Sequence, residues 1–147
     1  MQRTVTLLVL ASEEKARLLE INSLDKVLEE IECVDRSPVD DEGKEFSDRA
    51  GRMAVGGEAR HAFEPRTLVA DRLRQEFAGK VVAAMSERLA AAPFDRLVVA
   101  AGPKMLGLLR TALSPELRRR LVFDLDKELI DLPVADLTRH IGAGLAR

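Results

Sequence analysis

Thr4-Val5-Thr6-Leu7-Leu8-Val9-Leu10-Ala11 is the stretch on which the fold turns. It is β-branched and aliphatic and carries no charge, so it needs cover on both faces, the pattern of a strand in mid-sheet. A single arginine precedes it and the apolar run is short for a secretory leader, so it reads as a buried strand and not as a signal peptide. A second uncharged run, Leu97-Val98-Val99-Ala100-Ala101, leads straight into Gly102-Pro103. The two runs are expected to be adjacent, parallel, central strands.

Working outward from the first strand, Ser12 to Lys15 is polar and too short to hold a helix. Ala16 to Ile21 roughly alternates and is read as a second strand, although helix propensity alone favours a helical turn there. Asn22-Ser23 supplies a turn, and Leu24 to Val34 is a third extended segment whose Val27 to Ile31 fits an amphipathic helix equally well. Pro65 and Thr67 start a helix from about Leu68 to Ala92, with Leu73, Phe77, Val81, Met85 and Leu89 as its core stripe. Pro93-Phe94-Asp95 ends it. After the Leu97 strand, Pro103 opens a helix over Lys104 to Leu113 with Leu106, Leu109 and Leu113 inward. Ser114-Pro115-Glu116 caps a short helix to Arg120, Leu121 to Leu125 is a strand, and Pro133 to Leu145 is a last helix with Leu137, Ile141 and Leu145 inward. Three strands in an antiparallel meander, then helix, strand, helix, strand, helix, predict an α/β fold with a ribonuclease H-like mixed sheet. A doubly wound Rossmann-like sheet is the runner-up, but it needs a helix between the first two strands.

The chain has 147 residues, enough for one domain that buries its own core. A formal charge of −2 argues against a general nucleic-acid coat, so any anion site must be local. The lone cysteine, Cys33, rules out an internal disulfide framework, suits a reducing compartment and is read as core packing. No apolar run approaches the roughly 20 residues of a membrane span. These features predict a cytoplasmic protein without membrane association.

Residues 35–66 form a long polar loop inside the domain. It carries Asp40-Asp41-Glu42, a surface acidic run or a cation patch, and then Gly43 to Pro65 with four glycines and little apolar periodicity. Arg49, Arg52 and Arg60 either grip phosphate through their forked donors or pair with Asp48, Glu58 and Glu64. Gly56-Gly57 permits backbone geometry closed to other residues, and Glu58 and His61 are the weak catalytic candidates beside it. A ribonuclease H-type nuclease needs carboxylates at strand ends to hold two cations, beginning on the first strand, and Thr4 to Ala11 has none. No phosphate loop, dinucleotide fingerprint, nucleophile elbow or Cys/His metal spacing is present, so no cofactor and no metal are expected.

Ser47-Asp48-Arg49-Ala50-Gly51-Arg52, Arg60-His61-Ala62-Phe63-Glu64-Pro65 and Phe94 to Arg110, which includes Leu106-Gly107-Leu108-Leu109-Arg110, together resemble the bacterial family called host attachment protein, or protein required for attachment to host cells. Ser12 stands where members of that family usually have an aspartate. The family is in turn similar to the middle domain of archaeo-eukaryotic class-one release factors, a ribonuclease H-like domain with a Gly-Gly-Gln tip before its long helix. Gly56-Gly57-Glu58 occupies a comparable place. The resemblance implies a release-factor-like domain that contacts the ribosome or tRNA through Arg49, Arg52 and Arg60. Glu58 adds a charge that must be desolvated among phosphates, so peptidyl-tRNA hydrolysis is not the expectation. The alternative is a non-catalytic binding or scaffold protein, as a homodimer, linked to attachment only indirectly. A small-molecule hydrolase using His61 and Glu58 ranks last, since no nucleophile is recognisable.

Overall fold

Every residue of β1 (Val5–Ala11) is buried, as its lack of charge requires. The computed structural model describes residues 3–24, 27–36 and 66–145. After β1 come β2 (Lys15–Asn22), β3 (Leu28–Asp35), α1 (Arg66–Ala91), β4 (Arg96–Ala101), α2 (Pro103–Ala112), α3 (Pro115–Arg120), β5 (Leu121–Asp126) and α4 (Val134–Leu145). The strands form one sheet in the order β3-β2-β1-β4-β5. β1 pairs antiparallel with β2 and parallel with β4, β2 pairs antiparallel with β3, and β4 pairs parallel with β5. This is the ribonuclease H-like mixed sheet, with β1 and β4 adjacent and central.

The period of two along β1 and β4 divides the core into two layers. Leu7, Val9, Ala11, Leu97, Val99 and Ala101 pack with Phe77, Val81 and Met85 of α1 and with Met105, Leu106 and Leu109 of α2. Leu8, Leu10, Val98 and Ala100 pack on the other face with Leu137 and Ile141 of α4. A one-residue slip of β1 would exchange the two sets, and each fully buried leucine contributes about 1.5–3 kcal/mol, so the register is strongly specified.

α1 follows the expected stripe at Phe77, Val81 and Met85, while Leu73 and Leu89 are half-buried. A helix of 26 residues is about 39 Å long, well beyond the reach of the strands beneath it, so its first turns project past the sheet. The third strand begins at Leu28 and not at Leu24, because Ser23 and Leu24 turn the chain: Leu24 N donates to Asn22 Oδ1 and Thr4 N donates to Ser23 Oγ. Cys33 is also corrected. It lies exposed on the edge strand β3, where partial burial first, then the Asp35 and Glu30 carboxylates, push its thiol up. β3 is bulged where Leu18 faces Glu32 and Leu19 faces Glu30, and exposed Glu29, Glu30, Glu32 and Asp35 guard this edge against pairing with another strand. The side chain of Leu145 lies outside those described.

Candidate functional site

β1, β4 and β5 are parallel, so their carboxyl ends share one edge, with Ala11 level with Ala101 and Ala101 level with Asp126. There the chain turns from β1 into the β2 hairpin and from β4 into α2, so successive connections leave the edge in different directions. In open α/β sheets such a switch point is where ligands bind. α2 begins with Gly102 as N-cap in extended conformation, with no side chain capping it, and with Pro103 in its first turn. Leu106 N donates to Gly102 O at 2.8 Å, which leaves the amides of Lys104 and Met105 without helical acceptors and facing the edge. Partial positive charge at a helix start favours an anion. Lys104 is exposed beside it.

Ser12, where the resembling family has aspartate, is occupied in the turn. Its Oγ accepts from Glu14 N at 3.2 Å and Lys15 N at 3.1 Å, and donates to Lys15 O at 3.2 Å. A hydroxyl so engaged closes the β1–β2 hairpin and offers no carboxylate to a cation. Arg74 of α1 takes Glu13, and Lys15 takes Asp131 at 3.3 Å. Among the described residues, no group of three or more His, Cys, Asp or Glu could hold a metal.

Both anchors of the polar segment reach this same edge. Asp35, at the end of β3, pairs with Lys15, and Arg36 N donates to Glu14 O at 2.7 Å. The return is through α1, which the Arg74 to Glu13 pair fixes to the same turn, with about 12 Å of helix between Arg74 and Arg66. The predicted site residues Arg49, Arg52, Gly56, Gly57, Glu58, Arg60 and His61, with the Asp40 to Glu42 run, lie outside the described residues. The described geometry says only where the residues flanking them lie.

In the Phe94 to Arg110 run, the side chains of Asp95, Arg96 and Arg110 are committed to the fold. Asp95 and Val5 exchange two hydrogen bonds: Asp95 N donates to Val5 O and Val5 N donates to Asp95 Oδ2, both at 2.8 Å. Arg96 Nε donates to buried Thr6 Oγ1 at 3.1 Å. Arg110 grips Asp124 with a fork, Nε to Oδ2 at 2.8 Å and Nη2 to Oδ1 at 2.7 Å. That hydrogen bonding holds the Asp124 carboxyl below its usual range. Arg118 Nη2 then donates to the carbonyls of Arg110 and Thr111, satisfying the end of α2.

Sequence reasoning missed Arg17. It sits on β2, and its Nη1 donates to Ile130 O at 2.9 Å and Leu132 O at 2.7 Å while its Nη2 pairs with Glu30 at 2.7 Å. The signal was a lone cation in an otherwise apolar strand, Ala16 to Leu19. A shallow open cleft of about 400 Å³ is lined by Leu132, Asp136, Arg139 and His140 and takes no residue from the strand-end edge. Arg139 is turned to Asp136 within it, so among the described residues its guanidinium is not aimed at a ligand.

The family model described as protein required for attachment to host cells matches residues 7–141. Among solved structures, that of an archaeal translation termination factor, aRF1, is similar over 97% of this chain and 39% of that one, with 12% identity and a TM-score of 0.53. The chain thus spans about two fifths of the termination factor it resembles. The PPX-GPPA enzyme of Aquifex aeolicus aligns over 84% of this chain and 36% of that one, with 12% identity and a TM-score of 0.45. No curated protein matches the sequence.

Proposed function

We propose that the chain, which belongs to the family described as protein required for attachment to host cells, works in the cytoplasm as a release-factor-like domain that contacts the ribosome or tRNA through Arg49, Arg52 and Arg60. The observation that supports this reading is the position of the residues that flank their segment. The described residues on either side of it, Arg36 bonded to Glu14 and α1 held by Arg74 to Glu13, both contact the β1–β2 turn at the switch-point edge, the edge that also carries the uncapped start of α2 and exposed Lys104, where amide donors and a cation favour phosphate. The ribonuclease H-like fold shared with a translation termination factor is compatible with such a contact. With glutamate at position 58, the domain binds without performing peptidyl-tRNA hydrolysis.

Co-sedimentation with ribosomes and binding to tRNA across a salt series test it. Each arginine that meets a phosphate releases counterions, so removing one should lower the salt slope by about one unit. Arg49→Ala, Arg52→Ala and Arg60→Ala together should abolish co-sedimentation with the melting temperature nearly unchanged. Absence of any salt-sensitive RNA affinity in the intact protein would favour the non-catalytic scaffold. Glu58→Gln, which recreates the Gly-Gly-Gln tip, should bind at least as well and reveals in the same assay whether ester hydrolysis is latent.

A further inference from the structure

We propose that the outward face of α1 is a homodimer interface in which two copies of the helix pack antiparallel across a two-fold axis beside Ala83. Charge decides the occupant. Lys80 and Glu87 are both exposed, and neither has an ion pair or hydrogen bond among the described residues, whereas Arg74 and Arg88 of the same helix are committed to Glu13 and Glu20 of their own chain. Seven residues are about two helical turns, so Lys80 and Glu87 lie on one flank about 10.5 Å apart along the axis, too far to pair with each other. A two-fold related antiparallel copy reverses their order. Lys80 of one copy then comes level with Glu87 of the other, and the symmetry makes that pair twice. A parallel two-fold copy would carry the two flanks to opposite sides of the contact and form neither pair, so the pattern favours the antiparallel orientation.

Nothing bulky stands between the charges. Gly79, Ala83, Ser86 and Ala90 occupy the crest of the exposed face, and a Cβ built at Gly79 meets nothing within 4 Å. The two axes can therefore approach to the lower part of the usual range of about 8–10 Å. Glu76 lies exposed on the same flank and leaves it net acidic, which disfavours an RNA backbone as the occupant. From Gly79 to Ala90 the strip is only about 16 Å long, so the association should be weak, reversible and sensitive to salt. The inference does not depend on what residues 37–65 contact.

Sedimentation equilibrium of the full chain, at low salt and over a concentration series from about 1 μM to about 0.1 mM, which spans a micromolar Kd, tests it. The wild type should show a monomer–dimer equilibrium. Lys80→Glu changes both symmetric pairs from attraction to repulsion and should weaken dimerisation about tenfold, with the circular-dichroism melt unchanged because the position is exposed. Lys80→Glu combined with Glu87→Lys restores complementarity and should restore the dimer. A monomeric wild type, a Lys80→Glu variant that associates as well as the wild type, or a charge swap that fails to rescue would each overturn the proposal.

Discussion

Replacing Asp95 with alanine should destabilise the fold without touching an RNA site. Asp95 lies 90 residues after Val5 in sequence, and its carboxylate accepts the first amide of β1 while its own amide returns a bond to Val5 O. Val5 is buried, so in Asp95→Ala the strand loses a charge-assisted partner for an amide that water reaches poorly. A hydrogen bond to a charged group is worth about 1.5–3 kcal/mol net. Because Asp95 itself is exposed, water softens the loss to about 1–2 kcal/mol, a fall of about 3–6 °C in Tm for a chain of this length. Asp95→Asn keeps an oxygen acceptor, drops the charge and should fall between alanine and the wild type. Urea unfolding followed by circular dichroism, with m unchanged across the three proteins, gives the comparison. Stability of Asp95→Ala within about 0.3 kcal/mol of the wild type, below the usual effect of losing a hydrogen bond, would refute the clamp. Loss of RNA binding at unchanged stability would reassign the residue to a contact surface.

Arg17→Ala should free the loop before α4, since one guanidinium holds the carbonyls of both Ile130 and Leu132; amide exchange over residues 129–132 should quicken while β1 stays protected, and unchanged exchange would remove Arg17 from that role. Asp124→Asn should lower stability at neutral pH. The folded pKa of Asp124 is depressed by the Arg110 hydrogen bond, so its contribution is present above the unfolded value of about 4 and is lost as pH falls through the folded one. The gap between wild type and Asp124→Asn in urea melts should therefore close at low pH, and a gap that persists in acid would contradict this assignment.

What the sequence made legible was what local pattern decides. Uncharged runs at Val5 to Ala11 and Leu97 to Ala101 required cover on both faces, and their adjacency followed from the crossover rule. The i, i+4 stripe of α1 located Phe77, Val81 and Met85 but overstated Leu73, because helix periodicity does not record where the sheet beneath ends. Cys33 was misjudged for a related reason. Composition cannot say which strand of a meander is the edge, and a bulge across from Leu18 and Leu19 further offsets its register. Long-range polar clamps were the least legible: Arg17 finds acceptors 113 and 115 residues away, and no local window contains both partners.

The family-like motifs therefore separate into two kinds with different experimental signatures. In Phe94 to Arg110 three polar side chains have identified structural work: Asp95 starts β1, Arg96 serves buried Thr6, and Arg110 holds Asp124 of β5. Substitutions there should register first as stability, and any loss of function would follow the unfolded fraction. Ser12 belongs with this group, since its hydroxyl closes the hairpin at the position from which a nuclease of this fold would need a carboxylate. Arg49, Arg52 and Arg60 make the opposite prediction, a change in binding and in its salt dependence at constant melting temperature. Measuring stability and binding on one panel drawn from both motifs separates the two roles without a substrate being known. If the arginine variants melted early while the Asp95 and Arg110 variants bound poorly at full stability, the assignment of the strand-end edge as the functional side of the sheet would be reversed.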